Sequence, residues 1–205
     1  MALFWGGIKE MTKKEKIAKI IRTVTVPPVM VCILLIILYF TKDGIISGHT
    51  ELIISILLLG IVPLLSYPLS MLIPAWKRKG REGQRSLAFI LNFVGYLAAL
   101  VYGLAAHVTR DMMLIYLTYF ISVFVLTIFN KLIKIRASGH SCCITGPLVL
   151  MVYFIGWKSV LPCAVLFVFI IWASLTLKRH MPKDLAWGGV TAVIAFAVSM
   201  LLTEI

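Results

Sequence analysis

Residues 86–106 read SLAFILNFVGYLAALVYGLAA, and the residues just ahead of them, 77–85, read KRKGREGQR. The first string carries no Asp, Glu, Lys or Arg over 21 residues. A helix of that length rises about 1.5 Å per residue and covers a hydrocarbon core of about 30 Å. The second string places Lys77, Arg78, Lys79, Arg81 and Arg85 at one end of that run. A charge-free segment of bilayer length with cations gathered at one end predicts a transmembrane helix whose basic end is held on one side.

The pattern repeats outward in both directions. Apolar runs between charged breaks give seven candidate spans: Val24–Phe40, Leu52–Trp76, Ser86–Ala106, Met112–Asn130, Ser141–Trp157, Ser159–Leu177 and Leu185–Leu202. The first is short, so six is the alternative count. Pro63, Pro68 and Pro74 interrupt the second, and neighbouring helices in a membrane bundle can satisfy the carbonyls that prolines free. Of the 205 residues, 61% are hydrophobic and 14% charged, against about 45–50% and about 25% in an ordinary soluble domain. The predicted fold is therefore all-α: a polytopic transmembrane helical bundle of about six to seven spans, with an N-terminal amphipathic segment. There is no internal repeat or linker, so residues 24–205 are read as one domain and 1–23 as the segment that precedes it.

That segment lacks the short apolar core and cleavage site of a signal peptide. Ile8, Met11, Ile17, Ile20 and Ile21 alternate with Lys9, Lys13, Lys14, Lys16, Lys19 and Arg22, which fits either an amphipathic helix on an anionic surface or a solvated basic tail. Cys32, Cys142, Cys143 and Cys163 lie in or beside apolar runs without metal-ligand spacing and read as small packing residues.

The formal charge is +12. In a soluble protein it would suggest nucleic acid. Here seven spans place seventeen of the twenty Lys and Arg on the face of the N-terminus, leaving Lys42, Arg110 and Lys158 opposite. That asymmetry predicts a cytoplasmic N-terminus in a multi-pass cell-membrane protein. The expected partners are the bilayer and a phosphate-bearing ligand, not nucleic acid.

Three loops on the basic face hold more than charge. They are Lys77–Ser86; Lys131 to Ser141, which contains Lys134, Arg136, Ser138, Gly139 and His140; and Lys178 to Asp184, which contains Arg179 and His180. His140 and His180 thus stand just ahead of apolar helices, whose N-termini attract anions. Ser138 and Gly139 allow close backbone approach, and Arg presents a fork of donors to phosphate oxygens. A His among cations is disfavoured in its charged form, so a neutral nucleophilic imidazole is expected near pH 7. If the turn is helical, Asp184 can hold one ring nitrogen of His180. Each loop taken alone also fits a purely topogenic role, with Ser138 capping a helix. His107 reads as interfacial and His49 as a loop residue.

At these residues the chain resembles the type-2 phosphatidic acid phosphatase and vanadium haloperoxidase superfamily. Ala137-Ser138-Gly139-His140 is similar to the family's P-S-G-H motif. His180-Met181-Pro182-Lys183-Asp184 is similar to its H-x-P-x-D ending, and Arg78 and Arg85 have the spacing of its first, K-x-x-x-x-x-x-R motif. The resemblance covers residues 77–203 and marks a divergent membrane-bound member. It implies a phosphatase acting on a lipid or isoprenoid phosphate or diphosphate, without metal or other cofactor, through a phosphohistidine. His180 would be the nucleophile, Asp184 its orienting partner and His140 the general acid. Arg78, Arg85, Lys131, Lys134, Arg136, Ser138, Gly139 and Arg179 would bind phosphate. The departures are Ala137 for Pro, Arg78 for Lys, Ser86 for Pro, and Ser174 where the family carries an Arg. Lys178 or Arg179 would then supply that charge. The Ser174 departure supports the alternative, an inactive relative that binds anionic lipid or scaffolds partners. Span interiors lack the ionisable residues expected of a coupled transporter.

Overall fold

Proline and small residues decide where the helices of this chain bend, begin and touch. The computed structural model describes residues 11–178 and 180–204. Residues 1–10 of the basic segment and the phosphate-binding candidate Arg179 lie outside them. The described residues form nine helices: α1 Lys13–Val24, α2 Pro27–Thr41, α3 His49–Leu72, α4 Pro74–Lys77, α5 Gly80–Ala105, α6 Arg110–Leu132, α7 Gly139–Ile155, α8 Trp157–Thr176 and α9 Pro182–Glu204. None of the described residues is in a strand. Five of the helices, α3, α5, α6, α8 and α9, are long and apolar enough to cross a membrane, and α1 with α2 makes a sixth bent by 56°. Val101, Leu104, Leu161, Val168 and Leu201 point outward from them with more than half their surface exposed, the opposite of a soluble packing order.

Three expected spans differ from the helices found. Val24–Phe40 begins instead at Pro27, because the Thr25–Val26 break lets Pro27 and Pro28 enter as first-turn residues that lack only orphan N–H groups. Leu52–Trp76 ends at Leu72. Pro74 cannot continue it and opens the short α4, while Pro63 is absorbed by a widened π-turn at Leu57–Ile61. The expected span Ser141–Trp157 is α7, with 17 residues. That is at the short end of the roughly 17–25 residues that cross a bilayer, and every residue from Ser141 to Leu148 is buried. The first half of α7 is a central strut enclosed by protein, while Tyr153 near its end is exposed.

The main core joins α2, α5 and α6 through Leu34, Leu35, Leu38, Tyr96, Met112, Ile115 and Tyr116. Helix α9 lies along both α6 and α7. Short turns alternate the helix directions and leave two polar ends. At one, Thr109 Oγ1 donates to the Ile45 carbonyl at 2.5 Å, and Arg110 pairs with Glu204 at 3.9 Å. At the other, the Ser138 N–H donates to the Asp184 carbonyl at 2.8 Å. The loops 73–79, 133–138 and 177–181 all open at this second end.

Helix α1 begins with a capping box, in which Thr12 Oγ1 accepts from the Glu15 N–H while the Glu15 carboxylate accepts from the Thr12 N–H. Its ordering was among the expectations; its seat was not. It packs along α8 through a stripe at helical spacing, Glu15, Ala18, Arg22 and Thr25. Ala18 is fully buried there. Ile17 and Ile20, expected to lie on an anionic surface, do face outward, but the helix is also a packed part of the bundle.

Candidate functional site

A left-handed turn at Lys178, φ 49°, ends α8 and swings the chain through His180 into α9. His180 sits in this turn, half-buried, with Nδ1 enclosed and without a partner. A cleft of about 420 Å³ opens beside it, lined by Arg136, Leu175, Lys178, His180, Met181, Pro182 and Asp184. His140 is the second residue of α7 and lies within electrostatic reach of both His180 and Arg22. Its Nε2 is likewise enclosed and unpartnered. Buried polar atoms normally find partners, so two imidazoles with an orphaned nitrogen at one end of the bundle mark a site shaped for something else to bind.

The loop carrying Ser138 is held from three directions. A second π-turn, Ile128–Leu132, ends α6, and it sets Asn130 where its amide donates to the Leu126 and Ala137 carbonyls and accepts from the Ala137 N–H. Ser138 Oγ accepts from the Ser141 N–H and caps α7. Ser141 Oγ donates to the Leu185 carbonyl at 2.7 Å. Gly188 allows this contact, since a Cβ there would collide with the Ser138 carbonyl oxygen and approach Ser141 Cβ to 2.8 Å. The Ser-Gly pair therefore forms the start of α7 as well as lying beside the histidine.

Asp184 is nearly inaccessible, 1% exposed. Its Oδ2 accepts from the Met181 N–H at 3.3 Å and faces Arg136 Nε at 3.6 Å, and its Oδ1 has no hydrogen-bond partner. Among the described contacts no hydrogen bond joins it to His180. It acts on that ring through its charge. The His180 pKa is lowered to about 4, by burial first and then by the charge of Arg22, with Asp184 opposing and Arg85 and Arg136 adding to the lowering.

Of the residues singled out in the sequence, His140, His180, Asp184, Arg85 and Arg136 come together here. Ser138 and Gly139 form the turn beside them. Arg78 follows α4 and is exposed. Lys131 lies over the Phe89 ring, its Nζ 5.8 Å from the centroid. Lys134 is exposed in a left-handed turn, φ 59°. None of these three lines the cleft. Two participants carried no motif. Asn130 reads as the polar end of a span. Arg22 reads as one more topogenic cation, yet its Nη1 donates to Ser174 Oγ at 3.0 Å. The available signal was Ala18, the one small residue among long ones, which marks a docking face that Arg22 shares one turn later.

Among the described residues no cluster of three His, Cys, Asp or Glu has the arrangement to hold a metal ion, and all four cysteines are free thiols. The donors gathered around the cleft are guanidinium, imidazole and backbone N–H groups, which suit an anion. Compared with models of protein families, with curated proteins and with solved structures, the chain finds no match in any of the three.

Proposed function

We propose that this chain is an integral-membrane phosphatase that hydrolyses a lipid or isoprenoid phosphate or diphosphate through a phosphohistidine. The observation that carries the reading is the pairing of His180 and His140 beside an open cleft, with Arg22, Arg85 and Arg136 acting on His180. With Nδ1 enclosed, Nε2 of His180 is the nitrogen available for attack. It is neutral at pH 7, as a nucleophile must be. Attack on phosphorus forms an N–P bond and breaks the P–O bond to the leaving group. His140 donates a proton to that oxygen, since a dianionic phosphate beside the ring favours its imidazolium form. Water then attacks the phosphohistidine, its proton passes to His140, and phosphate leaves. Guanidinium groups meet the charge that develops on the equatorial oxygens. The membrane setting favours a substrate whose tail stays in the bilayer, and the positive-inside bias of the sequence supports a cleft on the cytoplasmic side.

The test is phosphate release from polyprenyl phosphate, phosphatidate and phosphatidylglycerophosphate in detergent with a chelator present. Activity should survive the chelator and fall by about 10²–10⁴-fold in His140→Ala, with His180→Ala inactive. A second reading, an anionic-lipid-binding relative without activity, is favoured by the engagement of Asp184 with Arg136 and Met181. Wild-type protein that binds these lipids and releases no phosphate would establish it.

A further inference from the structure

Helix α1 stands apart in sequence from everything else at the cleft, yet one of its side chains is bonded to α8, the helix that ends there. Arg22 is half-buried, and its Nη1 donates to the fully buried Ser174 Oγ at 3.0 Å, 152 residues away. Its charge acts on both histidines. Ser174 lies one residue from Leu175, which lines the cleft with His180 and Lys178. A guanidinium within electrostatic reach of two imidazoles raises the cost of protonating either of them. Such a cluster is favourable once an anion occupies the space between its members. A surface-anchoring cation has no use for a buried serine; a fork-shaped donor steered onto a phosphate does.

We infer that Arg22 is a ligand-contacting residue of this site, carried by the N-terminal helix and steered by Ser174 onto the phosphate group held beside His180. The inference rests on the reading of the cleft as a phosphate site, although it does not require turnover. On this view α1 is part of the binding machinery as well as a basic face of the molecule. The exposed Lys13, Lys14, Lys16 and Lys19 remain available to an anionic surface while Arg22 turns inward.

The experiment is calorimetric titration of the full chain in detergent with inorganic phosphate, and separately with phosphatidate in dodecyl maltoside micelles. The proteins are wild type, Arg22→Gln and Arg22→Lys. Gln keeps a donor for Ser174 but removes the charge, and melting temperature is followed in parallel. Arg22→Gln should weaken both ligands about tenfold or more, with melting unchanged and Arg22→Lys retaining most of the affinity. Equal binding by Arg22→Gln and wild type overturns the inference. So does equal weakening in Gln and Lys variants accompanied by lowered melting, which would make Arg22 a structural clamp. Weakening for phosphatidate alone overturns the phosphate contact in favour of a contact elsewhere on the lipid. A wild type that binds neither ligand overturns both the inference and the phosphate-site reading. If phosphate binds, depends on Arg22, and no ester is hydrolysed, the phosphatase reading fails and the Arg22 contact stands.

Discussion

The backbone N–H of Ser138 donates to the backbone carbonyl of Asp184 at 2.8 Å. This bond ties the start of α7 to the first turn of α9, so the helix end that carries His140 and the turn that carries His180 share one support. Ser141 Oγ on the Leu185 carbonyl repeats the tie three residues further along α7 and one further along α9. The two histidines are 40 positions apart, but one main-chain bond and one from a serine hydroxyl fix how their elements meet.

Gly188 is where that junction is most sensitive. An added Cβ meets the Ser138 carbonyl, Ser141 Cβ at 2.8 Å and the Cys142 nitrogen at 3.1 Å, all on short, stiff groups. Gly188→Ala should destabilise by about 1–3 kcal/mol, the usual cost of overpacking, and should lower phosphate release. Gly189→Ala is the control, because its Cβ meets only Thr145 Oγ1 at an ordinary 3.6 Å and gains the helix preference of Ala over Gly. Thermal unfolding of the two variants in the same detergent should separate them, and equal behaviour would contradict the packing described.

Arg136 and Asp184 are coupled, and the coupling has a sign. Asp184 is buried while the Arg136 side chain is 63% exposed, so removing the arginine strands a carboxylate that has only the Met181 N–H. Arg136→Ala should cost about 1–3 kcal/mol, the range for a buried group left short of partners. In an Asp184→Asn background, where no buried charge needs the arginine, the same change should cost less than half as much. A double-mutant cycle by chemical unfolding reads the difference. Equal costs in both backgrounds would show the 3.6 Å approach to be inert.

The fold class was legible in the sequence because one variable, apolar run length, governs it. The limits of α2, α3 and α7 were not, because neighbours set them. Pro63 and Pro74 look alike in the string, but Pro63 is absorbed by a π-turn and Pro74 starts a new helix. Helix α7 reads from its composition like the other spans, and only the structure shows that its first half is enclosed by protein. At the site, His140, His180 and Asp184 were legible because short motifs carry them. Arg22 and Asn130 were not, since each acts through contacts with residues remote in sequence or through side chain to main chain geometry.

Asn130 shows what such a hidden contact does. Its amide makes both main-chain bonds to Ala137 and a third to Leu126, closing the loop of residues 131–136 into a fixed arch. Asn130→Ala leaves the buried Ala137 without those partners. The expected result is faster tryptic cleavage after Lys131 and Lys134, with kcat falling more than KM rises, because the loop positions His140 through Ser138. Unchanged cleavage would mean that Ser138 and Asp184 hold the loop alone.

The pH dependence follows from what surrounds His180. Burial and the charge of Arg22, with Arg85 and Arg136 behind it, hold the ring at about 4 against the opposing charge of Asp184, where a free histidine titrates at 6.5. Between those values the unfolded chain binds a proton that the folded chain refuses. Stability from this group is therefore complete above about pH 6.5 and is lost as pH falls toward 4. His180→Asn should flatten that part of the curve. For the reaction, the attacking imidazole must be neutral, so the acid limb of kcat/KM should fall near pH 4 instead of near 6.5. Removing a nearby cation relaxes the constraint: Arg22→Gln should move the limb upward, toward 6.5, and Arg85→Gln should move it in the same direction by less. A wild-type limb already at 6.5 would mean that burial and the neighbouring cations do not hold the ring below its free value. The ring would then still be about three-quarters neutral at pH 7, as any free histidine is, and the cations around it would have to act on the bound phosphate and not on the nucleophile.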